Sequence, residues 1–572
     1  MTSLPTTAAL AESTTSDLLT FAALAAVPLA LAGCGGGSSS SAAPAVIVPP
    51  ANVFTAVTVR VSASVAATVR VNSVGDQDGV ATDSAGSVRF AISDPGVAGT
   101  SRHLPYSATA AATADTSTAN RDLTVTINPD PAPALAANPV AFRHVRHFLA
   151  RACFGTSLGD VARWLKVPHH TMIDRIVDGT RTTGQFPAPA WKDEQIPTWQ
   201  ELSAMTEAQR TVLGSQTGER ITEIRNGWLR EMIVGDSPLT ERMALFWHNH
   251  FVTASNDIFI APSCWQYLAL LRQHATGSFA DLLHAMAKNP AMIMFLDSGN
   301  NVKGKPNENF AREVLELFTL GEGQGYTEAD VVAVAKCFTG YGLTGRQQYE
   351  FTQSKHELGS KTVLGVAIDN GTNGEKDGTD ALNTILALDR CSRFIVEKLW
   401  AEFIGGTPDS STVTTWAASF KASGYQIKPL LKSLFKSSWF TDVSKHGTMI
   451  RSPIELHASL YRAIGVEPEQ YGVVLYVAGE EDQSLLNPPN VRGWVGGLAW
   501  INAKSLLERR SHLNWAAWEV RNKINPLLVG VLDQLVLAAP AYDTAALAVP
   551  SPNWDPTKRN RVLMVDPAIH LR

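Results

Sequence analysis

The chain has 572 residues, and 48 lysines and arginines against 53 aspartates and glutamates leave a formal net charge of −5. Hydrophobic residues make up 45% of the chain and charged residues 18%, a composition that excludes wholesale disorder. The near-neutral balance gives no electrostatic footprint for nucleic acid, so we expect no nucleic-acid partner. At roughly 100–200 residues per domain, the length predicts about three or four domains.

The amino-terminal segment is typical of a bacterial export signal. Residues 18–32 form an apolar run that is shorter than the roughly 20 residues of a membrane-spanning helix and matches the core of a signal peptide. Leu31-Ala32-Gly33-Cys34, which overlaps the end of this run, resembles a lipobox, the motif in which the cysteine of a bacterial lipoprotein is lipidated. Glu12 and Asp17 stand where a signal peptide has a positive start, so the alternative is an accidental apolar stretch before a free cysteine.

This leader predicts where the protein is located. We expect a signal peptide over residues 1–34, lipidation of Cys34 and a flexible tether over residues 35–51, which begins with glycines and serines. The predicted location is the cell envelope, with the protein lipid-anchored in the outer membrane or periplasm, or secreted. Contact with the membrane is expected through the lipid anchor only.

Residues 52–130 have the pattern of a small β module. Polar and β-branched residues alternate with period two, which is typical of half-buried strands. The alternating segments are residues 53–61, 67–71, 87–92 and 123–127. A short immunoglobulin-like β-sandwich fits this pattern best, as a spacer or adhesion unit followed by a Pro- and Ala-rich linker.

From Pro139 onward the pattern becomes helical, so the chain as a whole is predicted to be mainly α, with one large helical domain over residues 140–572. Ser237-Pro238 provides an N-cap and a first-turn proline for an amphipathic helix whose apolar stripe contains Leu239, Met243, Phe246 and His250. Thr327, with Asp330 three residues later, predicts a capping box at the start of another helix.

Four cysteines lie in the predicted helical domain, at Cys153, Cys264, Cys337 and Cys391. No two of them form a CxxC pair of the kind that binds metals or exchanges disulfides. Cys153 and Cys337 have apolar neighbours, which favours buried free thiols over metal ligands, while two disulfides stay open as the alternative.

Six sequence blocks carry a family resemblance. They are FLARACFG at 148–155, ERMALFWHNHF at 241–251, PNENFAREVLELFTLG at 306–321, GYTEADV at 325–331, HELGSKTVLG at 356–365 and PPNVRGW at 488–494. In this order and combination, over about residues 140–572, the chain resembles the bacterial family called domain of unknown function 1800. Cys153 stands where threonine is common in the family, and Glu357 where aspartate is common.

The resemblance implies an exported, largely α-helical bacterial protein. It also implies a partner, because many members are encoded beside a protein with a sulfatase-like fold. It brings no established reaction and no catalytic residues, so the function has to be argued from the residues themselves.

The tract Trp247-His248-Asn249-His250 is the first candidate site. On a regular helix His250 continues the apolar stripe, while His248 shares a face with Glu241. Two histidines only two positions apart cannot both bind one metal from a regular helix, because such pairs need i, i+4 spacing. In the alternative interpretation His250 is a hydrogen-bonded core residue and His248 caps the end of the helix.

The predicted helix over residues 308–320 is the second candidate. Arg312 can form i, i+4 salt bridges with Glu308 and Glu316, so an ordinary salt-bridged face is one interpretation. In the other, Asn309, Glu313 and Glu316 form one line that presents carboxylates to a cation or provides acid–base groups. No cofactor is identified, and a divalent metal is the candidate.

Three loops add candidate substrate-binding groups. Asp297 and Lys305 belong to a polar, Gly-rich loop that could bind an anionic or polyhydroxyl ligand beside a helix start, or be a mobile surface loop. His356, with Glu357 and Lys361, forms a titratable cluster or a hairpin turn. The loop that contains Asn490 and Trp494 could stack on sugar rings, or be a packed core loop.

Two classes of function remain. The first is an envelope enzyme, a hydrolase or lyase that acts on an extracellular polymer or polysaccharide. Its hypothetical catalytic residues are His248, His250, Glu308, Arg312, Glu313, Glu316 and His356, and its substrate-binding residues are Asp297, Lys305, Asn309, Lys361, Asn490 and Trp494. The second is a non-catalytic surface binding or assembly protein, in which the same polar residues form structural ion pairs.

Overall fold

The structure, a computed structural model, describes residues 139–258, 260–519, 535, 537 and 567–572, together with eight strands between residues 55 and 127. The predicted signal peptide, Cys34 and the tether lie outside the described residues. The described chain is mainly helical, as the sequence predicts.

The amino-terminal strands are β1 (Thr55–Ser62), β2 (Arg70–Val71), β3 (Val80–Ala81), β4 (Ser87–Arg89), β5 (Ile92–Ser93), β6 (Ser101–Arg102), β7 (Ala110–Thr113) and β8 (Asn120–Ile127). Strands β1 and β8 pair antiparallel along their whole length, and β7 pairs with the other edge of β8. The order of the second sheet is β2-β4-β3, and β5 pairs with β6. All four alternating segments of the sequence contain strands, whereas their assembly into a sandwich stays a prediction.

The helices of the carboxy-terminal part follow in chain order. They are α1 (Pro139–Ala152), α2 (Leu158–Trp164), α3 (His169–Asp178), α4 (Trp199–Ala204), α5 (Glu207–Val234), α6 (Pro238–His250), α7 (Ser255–Ile258), α8 (Ala261–Gln273), α9 (Phe279–Met286), α10 (Pro290–Phe295), α11 (Asn309–Glu313), α12 (Glu328–Cys337), α13 (Gly374–Leu386), α14 (Asp389–Phe403), α15 (Ser410–Ala422), α16 (Ile427–Lys436), α17 (Ser438–Thr441), α18 (Pro453–Ile464), α19 (Tyr471–Glu480) and α20 (Ala503–Glu519). Two hairpins interrupt them, β9–β10 (Tyr341–Leu343 with Tyr349–Phe351) and β11–β12 (Lys361–Val363 with Val366–Ile368).

Local sequence signals explain several of these boundaries. Thr327 and Asp330 form the predicted capping box at the start of α12. Helix α6 begins at Pro238 as predicted, but the Ser237 hydroxyl lies 2.8 Å from the Thr240 hydroxyl and makes no hydrogen bond to a backbone N–H of the helix. The serine therefore precedes the helix without capping it through its side chain.

Helix α11 is shorter than the predicted helix over residues 308–320, because the chain changes to a π-helical segment at Val314–Thr319. The Asn307 side chain accepts a hydrogen bond from the Asn309 N–H at 3.0 Å, so it provides an acceptor for the first backbone N–H group of helix α11. The π-helical segment is followed by Gly321, whose φ of 93° lies in the left-handed region that favours glycine. Short π-helical segments are frequent at functional sites.

Helix α6 lies at the centre of the core. Of its 13 residues every one except Asn249 is buried, so the predicted amphipathic pattern is wrong for this helix. The physical reason is that its charged residues are paired inside the protein. Glu241 accepts from Arg272 Nε at 3.0 and 2.9 Å, and Arg242 contacts two glutamates from other helices.

Cys153, Cys264, Cys337 and Cys391 are all buried free thiols. This confirms the interpretation of Cys153 and Cys337, and the alternative of two disulfides is wrong. Within the described ranges, the chain forms no helix that is both long and apolar enough to cross a membrane.

Candidate functional site

A cleft of about 800 Å³ lies beside the carboxy-terminal half of α6. Its volume falls within the range of small-molecule sites. Its lining residues include Arg242, Phe246, Asn249 and His250 from α6, Lys398 and Glu402 from α14, residues 448–450, residues 492 and 494–498, Glu455 from α18, and Arg572. The cleft therefore borders the Trp247–His250 tract, the first candidate site predicted from the sequence.

His250 forms the inner end of a hydrogen-bonded pair with Lys398. The His250 Nε2–H donates to the carbonyl of Phe318, in the π-helical segment, at 3.0 Å. The other ring nitrogen, Nδ1, is therefore the acceptor for Lys398 Nζ at 3.0 Å. Burial, and then the nearby Lys398, hold the pKa of His250 well below its usual range, so the ring is neutral.

Lys398 is the member of this pair that titrates near neutral pH. Burial lowers the pKa of its amine to about 8. No carboxylate of the described residues forms an ion pair with it, and its acceptor is the neutral His250 ring. Its nitrogen also lies 5.2 Å from the centre of the Phe394 ring. An ammonium group without a counter-ion is thus held in the wall of the cleft.

A network of two arginines and two glutamates forms another part of the wall. Arg242 contacts both Glu402 and Glu455, and Arg572 Nη1 lies 2.8 Å from Glu455 Oε1 and 3.5 Å from Glu402 Oε1. Backbone pairing with Met449, whose carbonyl accepts from the Arg572 N–H at 2.7 Å, holds Arg572 in place. The two positive and two negative charges compensate one another.

The loop that carries Trp494 is fixed to α6 by Asn249. The Asn249 Oδ1 accepts from the Trp494 N–H at 2.7 Å, and its Nδ2 donates to the Trp494 carbonyl at 3.2 Å. Gly493 has a φ of 76°, and a Cβ there would collide with the Asn249 side chain. Beyond Trp494, Val495 and Leu498 are 92% and 81% exposed and form an apolar lip on the cleft.

His248 lies outside this cleft, on a different side of α6. The Tyr267 hydroxyl donates to the Phe251 carbonyl at 2.7 Å, so the His248 Nδ1–H donates to the tyrosine oxygen at 2.9 Å. Burial lowers the pKa of His248 to about 3, and its ring packs edge-on against Trp494 at 5.4 Å. The residue is a neutral core histidine, and it does not end the helix as a cap.

The carboxylates of α11 and the π-helical segment form a separate cluster. Arg312 pairs with Glu308 at 3.1 Å, with Glu316 at 3.2 Å and with Glu328 at 2.8 Å. The two i, i+4 salt bridges are those of the salt-bridged face, one of the two interpretations of this segment, and Glu328 from α12 is an additional partner. None of these side chains lines the cleft.

Glu313 differs from its neighbours because burial raises its pKa to about 7, with a further contribution from Glu316. The Arg492 guanidinium opposes this rise, and Arg492 itself lines the cleft and pairs with Glu322 at 2.8 Å. Glu313 thus adjoins the cleft through Arg492 without being part of its lining.

Glu313→Gln is expected to raise the melting temperature at pH 8 and to leave it almost unchanged at pH 4. The folded-state pKa of Glu313 is raised above the unfolded value of 4.5, so its stabilising contribution is complete below pH 4.5 and is lost as the pH rises through about 7. Glutamine removes that loss. Thermal unfolding of both proteins across this pH range measures the difference.

The matched control for this prediction is Glu322→Gln. The Arg492 guanidinium holds the pKa of Glu322 below its usual range, so this variant should lower the melting temperature at pH 8 and not raise it. The raised pKa of Glu313 would be contradicted if the difference in melting temperature, variant minus wild type, became smaller as the pH rises from 4 to 8.

His356 and Lys361 belong to a third, closed cluster. The His356 Nδ1–H donates to the Thr339 carbonyl at 2.7 Å, and its Nε2 lies 3.1 Å from Asp377 Oδ2. Lys361 Nζ lies 2.5 Å from the same oxygen, and all three side chains are buried. These three residues form the titratable cluster that is one of the two interpretations of the HELGSKTVLG block, and their charges are paired within it. None of them lines the cleft.

The remaining predicted ligand-binding residues lie on the surface. Asp297, at a φ of 54°, accepts from Asn300 Nδ2 at 2.7 Å, which closes a tight turn. Lys305 and Asn309 are exposed, and the Asn490 side chain accepts from the Arg492 N–H at 2.9 Å. Of the predicted catalytic and binding residues, only His250 and Trp494 line the cleft.

Sequence reasoning missed Lys398, Glu402 and Arg572. Lys398 and Glu402 have i, i+4 spacing on α14, which looks like a surface salt bridge. The available signal was a lysine on the apolar side of a helix whose buried residues include Ile395 and Leu399. In the part of the chain that the structure describes, no three His, Cys, Asp or Glu side chains are grouped so that they could hold a metal ion.

The fold and the cleft define a mainly helical protein with a polar cleft beside a central helix that is buried except at Asn249. The model of a family described as "protein of unknown function (DUF1800)" matches residues 147–567, and the chain belongs to this family. The match confirms the resemblance that the six sequence blocks predict. No curated protein and no solved structure matches the chain.

Proposed function

We propose that the protein is an exported enzyme of the cell envelope, a hydrolase or lyase that acts on an extracellular polymer bound in the cleft. The observation that carries this proposal is the Lys398 ammonium group, which lines the cleft, has no carboxylate partner among the described residues and is held by His250. A partly buried charge without a counter-ion is costly, and a substrate that supplies negative charge removes that cost.

The charged residues of the cleft and His250 have separate roles in this proposal. Lys398 stabilises the negative charge of the bound substrate and the negative charge that develops on it during the reaction. His250 is a positioning residue, because its neutral Nδ1 fixes the amine. Glu402, one helical turn after Lys398, is the base, and Arg242 and Arg572 orient its carboxylate.

The second candidate is a non-catalytic surface binding or assembly protein. The closed cluster of His356, Lys361 and Asp377 favours it, since those charged groups are paired and buried. That interpretation expects no cavity beside the histidine tract. The cleft along Phe246, Asn249 and His250 favours the enzyme.

The export signal and the lipidation of Cys34 remain part of the proposal, with the helical domain held at the cell envelope and the β module as its spacer. Support comes from the lipobox-like Leu31-Ala32-Gly33-Cys34. Fractionation of cells that express the full chain tests the location, and recovery of the protein in the cytoplasmic fraction would overturn it.

Lys398→Met is expected to reduce turnover about 100-fold or more, the scale seen when an electrostatic group of an active site is removed. The assay incubates the full chain with a panel of envelope and extracellular polymers and measures new chain ends. The control is Lys504→Met, which removes a surface lysine outside the cleft and should keep wild-type activity. No turnover of any polymer by the wild type, or equal turnover by Lys398→Met, would overturn the proposal.

A further inference from the structure

The charges that line the cleft do not cancel. Four cationic residues line it, Arg242, Lys398, Arg492 and Arg572, against the two carboxylates of Glu402 and Glu455. The glutamates are paired with Arg242 and Arg572, and Arg492 has Glu322 outside the cleft. Among the described residues, Lys398 is therefore the cation of the cleft that has no carboxylate partner. A positive cleft in a chain with a net charge of −5 concentrates anions.

The backbone N–H groups at the start of helix α18 are already used by the protein. Helix α18 begins at the cleft, where its N-terminal N–H groups could bind a phosphate. Instead the Ser452 N–H donates to Glu455 at 2.7 Å, and the Ile454 N–H donates to Gln483 at 2.9 Å. A site with one free ammonium group, and without free backbone donors at this helix, fits a singly charged anion better than a phosphate.

The lip of the cleft fits the flat apolar faces of sugar rings. Val495 and Leu498 are largely exposed there, and the buried Trp494 also lines the cleft. Positive φ values at Gly496 and Gly497, 78° and 57°, turn the loop so that these side chains stand at the cleft. Apolar contacts next to a single cation are the combination that a carboxylated sugar requires.

We propose that the substrate is an acidic polysaccharide whose sugars carry carboxylates, with one carboxylate bound to Lys398 and the ring in contact with Val495 and Leu498. This inference rests on the proposed function, since it names the substrate of the same cleft. It also explains the lone ammonium group, because the substrate carboxylate supplies the missing counter-ion.

Calorimetric titration of the full chain with short uronate oligomers tests the inference. The probes are oligomers of galacturonate, mannuronate and a glucuronate-containing repeat, each with its neutral methyl ester. At least one acid form should bind. Its methyl ester should bind at least about tenfold more weakly, because the charged contact with Lys398 is lost. Lys398→Met should weaken binding of the acid about tenfold and leave the ester unaffected, and Val495→Asp should weaken both. Lys504→Met, outside the cleft, should bind as the wild type does.

The outcomes separate this inference from the proposed function. Equal binding of acid and ester, or no binding of any acid oligomer, would overturn the acidic substrate, even if the protein cleaves a neutral polymer. Tight binding of acid oligomers without cleavage would support the ligand class and overturn the enzyme. Binding of a sulfated oligosaccharide as tight as that of the uronates would overturn the choice of a carboxylate.

Discussion

Glu455→Gln is expected to destabilise the folded protein by about 3–5 kcal/mol, the cost of removing one partner of a buried ion pair. The Glu455 side chain is 6% exposed and that of Arg242 2%, so the guanidinium groups of Arg242 and Arg572 lose, away from water, one of the two carboxylates that they share and keep only Glu402. Glutamine keeps an oxygen for the Ser452 N–H, so the helix cap is retained and the effect reports on the charge. Urea denaturation followed by tryptophan fluorescence measures the change.

The exposed counterpart is Glu328→Gln. Glu328 also pairs with an arginine, Arg312, at 2.8 Å, but it is 74% exposed, so its removal should destabilise the protein far less than the loss of Glu455. The double variant Glu455→Gln with Arg572→Met should be less destabilised than the two single variants together, because no unpaired charge is left. A Glu455→Gln variant no less stable than Glu328→Gln would show that the network has no structural role.

Local signals predicted local structure well in this chain. Thr327 with Asp330 specifies a capping box, because this motif depends on two residues only three positions apart. Helix α6 was interpreted wrongly for the opposite reason. Glu241 and Arg242 look like a solvent face, and the partners that allow their burial, Arg272 among them, are remote in sequence.

The same limit explains why the site was only partly predictable. His250 and Trp494 were selected from unusual local composition, and both line the cleft. Lys398 acquires its significance from His250, 148 positions earlier in the chain. His356 illustrates the converse, since its buried partners Asp377 and Lys361 make a locally conspicuous residue part of a closed network.

Turnover of the acidic substrate is expected to fall about tenfold per pH unit above about pH 8, because a single proton leaves Lys398 there. Its pKa is lowered from 10.5, so the ammonium form that binds the substrate anion is present below about pH 8 and is lost above it. His250 cannot produce this decline in rate, which we call the alkaline limb, since burial holds the pKa of His250 well below its usual range. The profile of kcat/KM between pH 6 and pH 10 measures the limb.

Lys398→Arg is the variant that assigns the limb to this residue. A guanidinium group stays charged throughout this pH range, so the variant should not show the decline in rate near pH 8. Its rate at neutral pH can still be lower than that of the wild type, because a guanidinium group differs from an amine in shape and in its hydrogen bond to His250. His250→Gln keeps an acceptor for the amine and should keep the limb while it lowers kcat. A decline that persists unchanged in Lys398→Arg would assign the titration to another group, and Lys398 would then be a structural residue of α14.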